Sequence, residues 1–378
     1  AQGTLDGKPI RLTSPARLRH DEAGWHLGKT GFSFAGGDAT VAGNFGDGAV
    51  SFDATMTQMP LSVLDIGYPG LGLGGIASGS LHYATGGESG PSGKANLTLR
   101  GLTRSGLVLS STPFDLGVAA VLQPGKLAAR AVAASGGKTI GRGQIRLTPQ
   151  GSGPLIERLA AAPMFAQLRY DGPAATLWRL SGIELFDLTG PIAIGADLSG
   201  TLNDPRIKGS LRTRNGRIQS ATTGTVLANV TADGRFDGSR LVIDRFAADD
   251  THDGTVTGSG AFEFSRARGV GIDLALKAQK ARLIDRDDIR AVVTGPLSIR
   301  SSGSGGEISG EVRLDSSRYQ LGRATAATEI PQIETREINL PYGADVEDTP
   351  SQPWKLDVKA HAKDALMVRG LGLDSEWS

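Results

Sequence analysis

The run Val270-Gly271-Ile272-Asp273-Leu274-Ala275-Leu276-Lys277 sets an aliphatic side chain at every second position, with a small or charged one between. Successive side chains of a strand point to opposite faces, so the run has one oily face and one wet face. The period recurs in both directions. Leu356, Val358 and Ala360 alternate with Lys355, Asp357, Lys359 and His361, and Ile192, Ile194, Ala196 and Leu198 form a matching run upstream. Leu116, Val118, Ala120 and Leu122 repeat it, as do Leu97 with Leu99 and Val50 with Phe52 and Ala54. A sheet solvated on one side only reads in this way.

Turn-forming dipeptides separate the runs. Pro124-Gly125, Asn215-Gly216, Asp233-Gly234, Asp237-Gly238 and Asp253-Gly254 all suit tight turns, and many short strands so spaced predict an antiparallel meander. One internal echo points to sheet modules added along one axis. Gly190-Pro191-Ile192-Ala193-Ile194 leads to Ile207-Lys208-Gly209-Ser210-Leu211, as Gly295-Pro296-Leu297-Ser298-Ile299 leads to Ile308-Ser309-Gly310-Glu311-Val312. The pattern breaks between Pro154 and about Gly182. There Pro154 opens a helix with Leu155, Ile156, Leu159 and Ala162 on one side, Pro163 ends it, and Pro173 opens a second carrying Leu177, Trp178 and Leu180. The expected organisation is a β-rich segment over 1–150, a helical insertion or joint over 151–182, and a second β segment over 183–378. The stretch from Ala324 to Pro353, with four prolines and the acidic run Asp345-Val346-Glu347-Asp348, reads as a long loop.

Composition narrows the function. The 378 residues include 54 Gly and only 5% aromatics, with 39% hydrophobic residues, enough for a packed interior. Lys plus Arg is 40 against 39 for Asp plus Glu, which gives no footprint for nucleic acid and no polybasic anchor for an anionic membrane. With no cysteine, thiol chemistry, Cys-ligated zinc and disulfides are excluded. No apolar stretch reaches the length of a transmembrane helix, and both ends read as cuts in a longer protein.

The chemical motifs are sparse. Gly70-Leu71-Gly72-Leu73-Gly74-Gly75 satisfies the dinucleotide pattern but runs into Ile76-Ala77-Ser78-Gly79-Ser80, a poor helix former, so it reads as a Gly-rich β connection. Asp249, Asp250, His252 and Asp253 form the one dense group of hard ligands, and their place before Gly254 between two β runs makes a hairpin turn the default over a metal site. The five histidines are scattered, and no G-x-S-x-G or H-E-x-x-H pattern occurs. No catalytic residue, metal or cofactor is assigned, and the chain is not expected to be an enzyme. Lys280 to Asp288 is a mixed-charge run that reads as a solvated face.

Leu188-Thr189-Gly190-Pro191 through Leu198-Ser199-Gly200-Thr201-Leu202-Asn203-Asp204-Pro205-Arg206-Ile207-Lys208-Gly209 resembles the TamB family of translocation-and-assembly proteins, in the AsmA-like group. Asn215-Gly216-Arg217-Ile218, Gly234-Arg235-Phe236-Asp237-Gly238 and Leu366-Met367-Val368-Arg369-Gly370-Leu371-Gly372-Leu373-Asp374 continue the likeness, which covers about residues 180 to 378. The resemblance implies a mainly β fold, an elongated β-taco in which a folded antiparallel sheet encloses an apolar groove. It also implies a periplasmic place with an N-terminal inner-membrane anchor outside this chain, phospholipid transport toward the outer membrane, and support of outer-membrane protein assembly. The implied partners are phospholipid acyl chains and a TamA-like outer-membrane barrel met through regions outside this chain.

Read together with the alternation, it assigns Ile192, Ile194, Leu198, Leu241, Ile243, Phe262, Phe264, Ile272, Leu274 and Leu276 as groove wall. The same side chains would serve the core of a closed β-rich adhesin, and a scaffold pairing its sheet edge with nascent barrel strands is a third reading.

Overall fold

The computed structural model describes residues 2–5, 7–46, 49–66, 71–86, 90–104, 112–180, 186–220, 223–265, 269–303, 305–321, 354–363 and 365–377. Among these residues the chain is mainly β, with 24 strands and two α-helices. It divides into two compact units, Ala1–Thr213 with Phe236–Gly238, and Arg214–Arg235 with Ser239–Ser378.

The first unit begins with β1 (Gln2–Leu5), β2 (Lys8–Leu12), β3 (Leu18–Asp21), β4 (Gly24–Phe34), β5 (Gly37–Phe45) and β6 (Ala49–Pro60), followed by a 3-10 helix, Leu61–Ile66. β7 (Leu73–Gly86), β8 (Ser92–Arg104), β9 (Phe114–Gln123), β10 (Lys126–Ser135) and β11 (Lys138–Leu147) come next. Then follow α1 (Leu155–Ala161), β12 (Met164–Pro173), α2 (Ala174–Leu180), β13 (Asp187–Thr189), β14 (Pro191–Gly200) and β15 (Pro205–Gln219), whose last residues enter the second unit. From β4 to β12 each strand pairs antiparallel with the next in sequence. β12 then passes over β13 to β14, which pairs with β15. At the other end, β4 carries β2 and β3 along one edge.

The second unit contains β16 (Val226–Gly238) apart from its last three residues, β17 (Arg240–Asp249), β18 (Thr255–Ser265), β19 (Gly269–Asp285), β20 (Ile289–Ser301), β21 (Gly306–Gln320), β22 (Trp354–Ala362), β23 (Leu366–Gly370) and β24 (Leu373–Trp377). β17 to β21 form an antiparallel meander. The purely antiparallel expectation fails beyond it: β22 and β23 both pair parallel with β21, along successive parts of its length. Parallel neighbours need a connection of a dozen residues or more, and the chain between Gln320 and Trp354 supplies that length. The long loop expected over 324–353 lies outside the described residues.

Local expectations divide in the same way. Pro124-Gly125, Asp237-Gly238 and Asp253-Gly254 lie where strands reverse. Asn215-Gly216 and Asp233-Gly234 instead lie inside β15 and β16. A Cβ at Gly234 would sit 2.9 Å from the carbonyl oxygen of Val242, so this glycine permits close approach of two strands rather than a turn. The two helices begin at the expected prolines, but β12 lies between them as a full member of the sheet, and the expected break is two short insertions. Ile156 is 81% exposed, so the predicted apolar side of α1 is narrower than expected. Gly72 to Gly75 lead into β7, not a helix, which removes the phosphate-binding context; Gly70 is outside the described residues. The sequence echo is a repeated hairpin: β14 pairs with β15 as β20 pairs with β21, with Leu198 opposite Ile207 and Ile299 opposite Ile308.

The acidic group before Gly254 holds the β17–β18 hairpin to β19. Asp250, 3% exposed, accepts the backbone N–H of His252 (2.8 Å) and Gly254 (2.9 Å) on Oδ1 and that of Arg282 (2.8 Å) on Oδ2. Burial pushes its carboxyl up, but the N–H groups of Arg282, His252 and Gly254 outweigh this and hold it below the ordinary carboxylate range. Its acceptor sites are thus directed at the backbone. Asp250→Ala is expected to lower stability by about 2 to 4 kcal/mol in urea titrations, since one buried and two part-buried donors lose their acceptor. The carboxylate's contribution is complete above the unfolded-chain pKa of about 3.9 and is lost as pH falls through the lower folded value. The stability difference between the wild type and Asp250→Ala, followed by circular dichroism in urea, should therefore be constant above about pH 4 and shrink as pH falls further; a difference unchanged in acid would remove this role.

Candidate functional site

Register converts the alternating runs into continuous apolar rows. In the first unit Leu81, Ala95, Ala120, Ala129, Ile145, Ala166, Leu198 and Ile207 face one another in turn across eight strands from β7 to β15. At about 4.8 Å per strand such a row runs roughly 34 Å along the sheet. The neighbouring row, Leu97, Val118, Ala131, Gly143, Leu168, Ala196 and Gly209, lies on the same face. In the second unit Ile243, Gly260, Leu274, Ile299, Ile308 and Leu356 form one row, and Phe246, Gly258, Leu276, Leu297, Gly310 and Val358 the next.

The predicted wall residues fall on these faces. Ile192, Ile194 and Leu198 share one face of β14 in the first unit. In the second, Phe262 lies between Leu241 and Ile272, Ile243 and Leu274 flank Gly260, Leu276 lies beside Gly258, and Phe264 faces Val270 at the strand ends. Their coverage differs. Ile192, at 8% exposure, belongs to a closed cluster with Tyr170 and Ala174, and Leu241 (7%) and Ile243 (8%) pack beside the close backbone of Gly234. Ile194, Leu198, Phe262, Ile272, Leu274 and Leu276 are half-buried, and Phe264 is 42% exposed. Leu97, Val118, Leu168, Ile299 and Ile308 are also half-buried members of the same rows, which the sequence reading did not assign to a groove wall. Their period-two spacing was the available signal.

In the first unit, two clusters close parts of this face. α2 brings Ala174 and Leu177 onto Leu61, Ala77, Leu102, Phe114 and Tyr170, and Trp178 stacks on Phe186 at 4.5 Å. Its Arg179 pairs with Asp187 at 2.6 Å, and Asp187 raises the guanidinium pKa. After α1, Ala162 closes a second cluster with Leu147, Met164 and Ala166, against which Leu159 and Leu198 pack. Between these clusters lies the half-buried row through Leu97, Val118 and Leu168.

In the second unit glycine opposes leucine. A Cβ at Gly258 would come 2.6 Å from Leu276 Cδ2, and one at Gly260 would come 2.8 Å from Leu274 Cδ2, so both leucines lie flat over bare backbone. The wall stays low without losing apolar area. The opposite face of each unit is polar, with cross-strand pairs such as the Asp53–His82 hydrogen bond (2.7 Å) and the Arg169–Asp197 (2.8 Å) and Arg214–Asp233 (2.8 Å) ion pairs. The Arg169 guanidinium holds the Asp197 carboxyl below its usual range, with help from Gln167 against burial.

Residues 244–378, from within β17 to the last strand, match the family described as the TamB C-terminal domain; of the stretches that carry the resemblance, 366–374 lies inside this match, whereas 188–209, 215–218 and 234–238 lie upstream of it. No curated protein and no solved structure matches the chain.

Because the chain has no cysteine, a single Leu97→Cys or Leu274→Cys directs a polarity-sensitive thiol fluorophore to the apolar face. Added oleate should shift its emission to the blue at both positions, and leave a Thr98→Cys label on the polar face unchanged. Equal, oleate-insensitive emission at 97 and 98 would rule out an accessible apolar face.

Proposed function

Taking the TamB C-terminal domain over 244–378 as the premise, we propose that this chain is a non-catalytic stretch of a periplasmic lipid conduit, its apolar faces carrying phospholipid acyl chains between the inner and outer membranes. The domain ties the chain to the TamB-type outer-membrane assembly and transport system. The observation that supports the conduit is the half-burial of large aliphatic side chains along continuous cross-strand rows. A closed core buries such residues, whereas here Leu97, Val118, Leu274, Leu276 and Ile299 keep part of their surface uncovered by the chain.

The physical requirement fits. Each CH₂ exposed to water costs about 0.8 kcal/mol, so a bare phospholipid in the periplasm costs on the order of 20 kcal/mol or more. A path that offsets this needs an unbroken apolar wall without a deep local well to trap its cargo. Rows of Ala, Val, Leu and Ile, lowered by Gly258 and Gly260, have that character. In the same proposal the chain supports outer-membrane protein assembly together with a TamA-like barrel and is held to the inner membrane by a helix outside this chain. Among the described residues no helix is long and apolar enough to cross a membrane.

Native mass spectrometry of the chain purified from a bacterial periplasm, with lipid extraction, tests the reading. Bound phospholipid is expected, and Leu274→Glu should lose it while keeping its strand circular dichroism, because a carboxylate then faces the acyl chain. A folded, lipid-free wild-type protein, or wild-type lipid content in the Glu variant, would defeat the conduit; the edge-pairing scaffold would then be the reading to pursue.

A further inference from the structure

The near balance of charge over the chain, 40 cations against 39 anions, conceals a segregation. Strands β8 to β12 hold nine Lys and Arg, three on β8, two on β10, three on β11 and one on β12, but only two carboxylates, Asp115 and Asp171. Asp115 is engaged by the backbone N–H of Gly101 at 2.9 Å. On the polar face Arg142 lies directly opposite Arg169, and Arg130 lies opposite Gln144, diagonal to both Arg142 and Arg146. Arg169 is neutralised by Asp197. Arg130, Arg142 and Arg146 make no ion pair or hydrogen bond among the described residues, whereas Arg214, Arg235 and Arg313 are answered by Asp233, Asp244 and Asp315. Like charges facing one another across strands repel.

The same face exposes apolar side chains: Val121 and Val132 are each 44% exposed and Phe165 49%. They are interleaved with the cations. Val132 opposes Arg142 and Phe165 opposes Arg146, and a cavity of about 340 Å³ contains Val121 and Phe165 together with Arg130 and Arg146. Protein interfaces separate an apolar centre from a charged rim. Cations alternating with single aliphatic and aromatic groups match instead the headgroup zone of a bilayer, where guanidinium meets phosphate oxygens and the apolar tips enter the acyl boundary.

We infer that the polar face of β8–β12 docks on the surface of a bilayer containing anionic phospholipid, through Arg130, Arg142 and Arg146 with Val121, Val132 and Phe165. The inference concerns the face opposite the apolar rows and does not rest on the conduit reading. Docking in this way turns the apolar face of the same strands away from the membrane.

Cosedimentation of the whole chain with vesicles tests it. Binding is expected to vesicles of phosphatidylglycerol and phosphatidylethanolamine and not to phosphatidylcholine alone, and to weaken with added salt. Combined Arg130→Gln, Arg142→Gln and Arg146→Gln changes should weaken it roughly fivefold per charge removed. Val121→Ser with Phe165→Ser should also weaken it. Lys277→Gln, which removes an exposed cation of β19 in the other unit, should bind as wild type, which separates docking through β8–β12 from a general attraction of cations to the vesicle. Indifference to anionic lipid, or undiminished binding by the triple Gln variant, would overturn the inference. Loss with the Gln changes but not with the Ser changes would overturn the part given to Val121 and Phe165.

Discussion

Strand register is the constraint on which everything else in this protein depends. A slip of one residue between neighbours would carry every aliphatic side chain from the apolar face to the polar one. The bulges show how register survives where spacing departs from two. Ala278 and Ala281 are three apart, yet both are fully buried, because one extra residue on β19 is absorbed between Gly295 and Val293 of β20. Lys280, at the bulge, has φ 48° and donates its N–H to Thr294 at 2.9 Å, while the N–H of Arg282 is taken by Asp250. Met56 and Met59 repeat the device on β6, with Gln58 at φ 50° donating to Ser78. Polar side chains at the bulges thus fix the phase of the apolar rows.

With phase fixed, the two faces take separate characters. The apolar one is assembled from small and medium side chains and is closed locally, by α2 and the segment after α1 in the first unit and around Val256, Ala278, Ala281, Val293 and Val312 in the second. Few bulky groups are fully buried; Phe34, Leu147 and Val230 are the largest apolar ones. A sandwich of this length would require a second apolar layer of matching area. The short helices supply that layer at two places, which is why Ile192 is enclosed while Leu168 is half-covered. The polar face is held by ion pairs between exposed groups, each a minor contributor to stability, so its charge pattern is free to serve interaction. Such freedom is visible in the contrast between the answered arginines of the second unit and the unanswered ones of β10 and β11.

The sequence by itself determined the mainly β class, the identity of most apolar-face residues and the family likeness of the C-terminal stretch. Period two is a local property of extended backbone, so Ile272, Leu274 and Leu276 could be set on one face before any partner strand was known. The proline-opened helices were legible for the same reason. Tertiary structure alone decided which wall residues are covered, because coverage of Ile192, Leu241 and Ile243 comes from α2 and from the close approach at Gly234, contacts distant in sequence. It alone distinguished Asn215-Gly216 and Asp233-Gly234, which lie inside strands, from Asp253-Gly254, which turns, since all three dipeptides carry the same local preference. It also fixed the parallel pairing of β22 and β23, and it gathered Arg130, Arg142 and Arg146 on one face. A chain-wide charge balance averages over position, whereas hydrogen-bonded register decides which charges meet.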